Sequence, residues 1–84
     1  MNEHGSAYFR FHAELNTFLP RVRRNTVIEH TFTWRASIKD MIESLGVPHP
    51  EISLLVVNGI SVDFERAVEP GDHIEVYPDF EAVE

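Results

Sequence analysis

A single stretch of this chain is clearly written in a helical period, while its other apolar segments run as alternating or continuous short blocks. Ile38, Met41, Ile42 and Leu45 fall at i, i+3, i+4 and i+7, which is one apolar face of a helix. Ser37 stands in front of them as an N-cap, and Asp40 in the first turn suits the helix dipole. Gly46 supplies the left-handed residue that closes such a helix, and Pro48-His49-Pro50 forbids any continuation. A lone helix with one apolar stripe must lie on something flat, and the rest of the chain reads as strands.

Ser6 to Ala13 alternates strictly, with Ala7, Phe9, Phe11 and Ala13 on one side and Tyr8, Arg10 and His12 on the other. Glu14 to Leu19 keeps Leu15, Phe18 and Leu19 for the core, and Arg21 to Asn25 reads as a polar loop. Thr26 to Thr33 is rich in β-branched and aromatic residues and reads as a second strand. Ile52 to Val57 is nearly all apolar, which fits a strand covered on part of both faces. Asn58-Gly59 predicts a type I′ hairpin turn, and Ile60-Ser61-Val62 begins a short return. Glu69-Pro70-Gly71-Asp72 is a further turn, after which His73 to Tyr77 alternates with Ile74 and Val76 inward.

The order is therefore β-β-α-β-β-β, an α+β arrangement in a mixed sheet of 4–5 strands with one helix packed across one face. The chain's 84 residues allow one domain, with its core at about residues 7–78 and an acidic tail at 79–84. If the first and last long strands are central neighbours, Phe9, Phe11, Ile74 and Val76 meet the helical Ile38, Met41, Ile42 and Leu45. The other sheet face then carries Tyr8, Arg10 and His12 beside His73, Glu75 and Tyr77. Tyrosine and arginine are enriched at interfaces, so these six residues form the expected partner surface. Tyrosines are also ordinary sheet formers, and both readings fit the pattern. Trp34, at the junction of strand and helix, is expected to cap the core.

The chemistry expected of the chain is slight. It has no cysteine, so neither disulfides nor thiolate metal sites hold it together, which suits a cytoplasmic setting. The start of the chain lacks signal-peptide character, and no apolar run reaches membrane-spanning length. Its five histidines, His4, His12, His30, His49 and His73, include no pair at helical i, i+4 spacing, so no metal site is expected. His12 and His73 approach each other if their strands pair, and His30 reads as a strand-edge residue. No nucleophile with a base and no phosphate-cradling glycine loop is present, so no catalytic residue and no cofactor are assigned. The net charge of −7 argues against broad nucleic-acid affinity. Arg21, Arg23 and Arg24 nonetheless cluster in the first connection and are the candidate RNA contact, although no aromatic platform is interleaved with them.

Two resemblances add to this reading. Val56-Val57-Asn58-Gly59, followed by Glu69-Pro70-Gly71-Asp72-His73-Ile74-Glu75-Val76-Tyr77-Pro78, resembles the C-terminal half of the thiamine- and molybdopterin-pathway sulfur carriers. Phe9 to Asn16 with Phe18-Leu19-Pro20, then Ser37-Ile38-Lys39-Asp40 through His49 and Asn58 to Phe64, resembles the ubiquitin-like domain that precedes a Mut-seven C-terminal type RNase domain. Both resemblances imply the ubiquitin-like β-grasp fold. The second, which spans roughly residues 7 to 81, implies a bacterial two-domain protein whose nuclease residues and zinc ribbon lie in a part absent from this sequence; an excised domain and a free-standing relative both fit. Sulfur carriers act through a C-terminal Gly-Gly, whereas this sequence ends Phe80-Glu81-Ala82-Val83-Glu84, so carrier chemistry is not expected. The expected function is a noncatalytic ubiquitin-like interaction module, accessory to a PIN-like RNase domain in cis or trans. A sulfur-carrier-like protein and an RNA-contacting accessory domain are the alternatives.

Overall fold

The computed structural model describes residues 5–79; the expected acidic tail beyond Asp79 and the N-terminal His4 lie outside the described residues. Among the described residues are five strands: β1 (Gly5–Phe11), β2 (Val27–Phe32), β3 (Ile52–Val57), β4 (Ile60–Val62) and β5 (His73–Pro78). Helix α1 (Ile38–Ser44) follows β2, and three short 3-10 helices cover Ala13–Phe18, Arg21–Arg23 and His49–Glu51. The sheet order is β2-β1-β5-β3-β4. The terminal strands β1 and β5 run parallel at its centre, and the other neighbours are antiparallel. This is the mixed β-grasp sheet expected from the sequence. No helix among the described residues is long and apolar enough to cross a membrane.

Each local signal resolves into a specific geometry. Ser37 Oγ accepts the Asp40 N–H at 3.2 Å. At the other end of α1, Gly46 has φ +104°, the Gly46 N–H donates to Glu43 O and the Val47 N–H donates to Ile42 O. That double closure is a Schellman motif, and Val47 is buried with Ile42 as its apolar partner requires. Asn58 (φ +52°) and Gly59 (φ +87°) both take positive φ, as a type I′ turn demands, and Val57 pairs with Ile60 across it. The Asp72 N–H donates to Glu69 O across Pro70-Gly71, with Gly71 at φ +88°.

The eight residues expected to meet between the sheet and the helix are buried in one cluster, joined by Ala7, Leu15, Leu19, Ile28, Val47, Ile52, Leu55, Val57 and Val68. Three expectations need correction. β1 ends at Phe11, not Ala13, because Ala13 turns to φ +54° and opens a 3-10 helix. Buried Asn16 drives that turn: its Nδ2 donates to Phe11 O at 2.9 Å and Ala13 O at 3.0 Å, and its Oδ1 accepts the Asn25 N–H at 2.7 Å. Phe18, the last residue of that 3-10 helix, lies at the surface with 41% exposure rather than in the core.

Trp34 does not cap the core but stands 69% exposed. Phe32 and Ala36 pack against the core at that end, and the Val68 N–H pins Ala36 O at 2.9 Å, so the bend between them projects outward. β3 is buried on one face and partly covered on the other at Val56, as expected. Its register shifts between Ile52 and Leu54, which leaves Ser53 and Leu54 exposed.

Candidate functional site

The candidate site is the sheet face that α1 does not cover. Side chains alternate along a strand, so residues flanking buried Phe9, Phe11, Ile74 and Val76 must point to the opposite face. The parallel register then sets them in rows: Tyr8 beside His73 and Arg10 beside Glu75. One further backbone bond, from the His12 N–H to Val76 O at 3.0 Å, carries this ladder past the end of β1 and holds His12 near Tyr77.

The side chains interlock along those rows. Tyr8 and His73 stack with ring centroids 4.9 Å apart, and His12 and Tyr77 stack at 4.3 Å with planes only 6° apart. His12 Nε2 lies 2.5 Å from Glu75 Oε1, with both side chains partly open to solvent. Stacking and the His12–Glu75 contact hold these rings in place before any partner arrives, which lowers the ordering entropy that binding must overcome. Arg10 sits exposed in the middle row. Thus the structure brings all six expected residues together on one face.

Sequence reasoning missed the flanks of this surface. On β2, Val27 lies opposite Arg10 and is 53% exposed, and Glu29 lies opposite Tyr8. On the other side Leu54, 37% exposed, pairs with Tyr77, and half-buried Val56 pairs with Glu75. The alternation of β2 carried the signal for Val27 and Glu29. Leu54 had no such signal, because an unbroken apolar run does not say which residue faces out.

The remaining candidates are dispersed. Arg24 is engaged within the first connection: its Nε donates to Leu19 O at 2.9 Å and its Nη2 to Thr17 O at 3.5 Å. Arg21 and Arg23 stay exposed on the short 3-10 helix before β2. His30 lies on the edge strand facing the core side, edge-on to Phe9, and burial followed by the charge of Arg23 pushes its pKa down. His49 pairs through Nδ1 with Glu43, and the hydrogen bond from His49 is the main reason that the Glu43 carboxyl sits below its usual range. Among the described residues no group of three His, Asp or Glu is placed to hold a metal ion.

A second polar cluster, unforeseen as a unit, lies at the top of β5. Asp72 is buried and accepts from Arg66 Nη1 at 2.7 Å, the Glu69 N–H at 2.8 Å and Asn58 Nδ2 at 2.9 Å. Burial alone would push its carboxyl up. The bonds from Arg66, Glu69 and Asn58, with the Arg66 charge, outweigh that effect and hold it below its ordinary value. The cluster ties the β3–β4 turn to the start of β5, and so to the end of the sheet where Tyr8 meets His73.

A family model described as Mut7-C ubiquitin matches residues 5–84. The chain belongs to that family. The match covers every element described above, so the ubiquitin-like reading of the sheet and helix holds for the whole domain. No curated protein matches the chain.

Proposed function

We propose that this Mut7-C ubiquitin domain is a noncatalytic protein-interaction module that docks through its open sheet face. Its partner in this reading is a PIN-like RNase domain of the Mut-seven C-terminal type, in the same chain or another, in a bacterial cytoplasm. The observation that carries the reading is the pair of aromatic stacks, Tyr8–His73 and His12–Tyr77, set around Arg10 and Glu75 and flanked by exposed Val27 and Leu54. An ordered, amphipathic aromatic surface with an arginine at its centre is the composition of an interface core rather than of a plain wet sheet. The resemblance of Phe9 to Asn16, Ser37 to His49 and Asn58 to Phe64 to domains that precede such an RNase is what supports this choice of partner.

Calorimetric titration of the domain with such an RNase domain tests this. Tyr8→Ala and Tyr77→Ala are each expected to weaken binding at least tenfold, the loss that marks an anchor residue. Unchanged affinity in both folded variants would remove the sheet face from the interface. A mobility shift with single-stranded RNA at low salt, abolished by replacing Arg21 and Arg23, would favour the RNA-contacting alternative instead.

A further inference from the structure

The turn between β3 and β4 contains a reactive pair of residues. In Asn-Gly the side-chain amide carbon lies within reach of the next backbone nitrogen, and glycine has no Cβ to shield that nitrogen. Here nothing stands within 4 Å of the place a Gly59 Cβ would take, so the turn is open to solvent. The Asn58 side chain, however, is held at both ends. Its Nδ2 donates to Asp72 Oδ1 at 2.9 Å, and its Oδ1 accepts the His73 N–H at 2.9 Å.

We propose that Asn58 is a latent deamidation site, kept unreactive in the folded chain by Asp72 and the His73 N–H, whose conversion dismantles the turn that protects it. The Gly59 nitrogen, its proton taken by hydroxide, attacks Cγ of Asn58 and forms a new C–N bond. The bond from Cγ to Nδ2 breaks and ammonia leaves, its third proton supplied by water. A water molecule then opens the cyclic imide at either carbonyl, giving aspartate or isoaspartate. One water is consumed and one ammonia released, with no change of oxidation state.

In the fold, Cγ cannot swing toward the Gly59 nitrogen without giving up both side-chain bonds. One ordinary hydrogen bond and one to a carboxylate correspond to a reaction slower by roughly a hundredfold or more than in the unfolded chain. After conversion, an anionic oxygen replaces the Nδ2 donor and faces Asp72 Oδ1. Two carboxylates at that distance repel, and Arg66 already serves the other oxygen of Asp72. Isoaspartate also lengthens the backbone of a two-residue turn whose register, Val57 to Ile60, admits no extra atom. Conversion therefore acts as a one-way mark that removes an aged chain from the folded pool.

The test has two arms. Wild-type protein is kept in mildly alkaline buffer with and without guanidinium chloride, and the peptide containing Asn58 is followed by mass spectrometry. A folded rate roughly a hundredfold or more below the denatured rate is expected, and equal rates overturn the protection. In the second arm, Asn58→Asp is compared with the double variant Asn58→Asp/Asp72→Asn, which restores one donor facing one acceptor. A single variant that melts early or fails to fold, with recovery in the double, is the expected pattern. An Asn58→Asp protein as stable as wild type, or a double variant no better than the single, overturns the claim that conversion dismantles the turn.

Discussion

Replacing Asp72 with alanine should be among the most damaging polar changes in the domain. The carboxylate is only 4% exposed and holds three hydrogen bonds, from Arg66, the Glu69 N–H and Asn58. Bonds to a charged group are worth about 1.5–3 kcal/mol each, which would sum to roughly 4.5–9 kcal/mol if no donor found another partner. Arg66, Glu69 and Asn58 all reach solvent, however, and regain water, so a net loss of about 3 kcal/mol is expected. A domain of this size has roughly 4–12 kcal/mol in total, so the loss is a large fraction of it. Thermal denaturation should show a midpoint lower by roughly 12–24 °C.

Acid titration adds a second readout for the same residue. The folded pKa of Asp72 lies below its unfolded value, so its ionised form contributes stability above that unfolded value. That contribution disappears as pH falls through the folded value. Wild-type protein should therefore lose stability more steeply than Asp72→Asn below about pH 4. A melting change under about 4 °C for Asp72→Ala, or parallel acid profiles for wild type and Asp72→Asn, would refute the reasoning.

Gly5→Ala should lower the urea midpoint by an amount equal to about 1–3 kcal/mol. The new Cβ would lie 2.7 Å from both Cβ and Cγ of Pro70, a ring that the Gly71–Ser6 hydrogen bond holds in place. Ser37→Ala removes the acceptor of the Asp40 N–H and should cost about 1 kcal/mol, while Ser37→Gly costs only a few tenths. His49→Ala should let the Glu43 carboxyl rise toward its ordinary pKa, because the hydrogen bond from His49 is what lowers it; side-chain NMR titration reads this directly.

The features that were legible in the sequence are those whose physics is local. The caps of α1, the Asn58-Gly59 turn and the Glu69–Asp72 turn depend on residues within a few positions of one another. The alternation of β1 and β5 assigned six residues to one face, and pairing those strands then placed all six together. The failures arose where a distant partner decided the outcome. Asn16 reads as an ordinary polar loop residue, yet it is buried and holds Phe11 O at the end of β1. Trp34 carries the strongest core signature by size, but the fixed carbonyl of Ala36 turns it out. The Asp72 cluster joins Asn58, Arg66 and Asp72 from three segments, and no spacing rule connects them. Leu54 was hidden in an apolar run whose irregular register with β5 is set by the tertiary fold.

The central claim is that the open sheet face, rather than the helix side, meets a protein partner. Chemical-shift mapping of the isotope-labelled domain, titrated with a Mut-seven C-terminal type RNase domain, tests it most directly. The account predicts perturbed amides at Tyr8, Arg10, His12, His73, Glu75 and Tyr77, with α1 unaffected. Perturbations centred on α1 and exposed Phe18, or none at saturating partner, would contradict it.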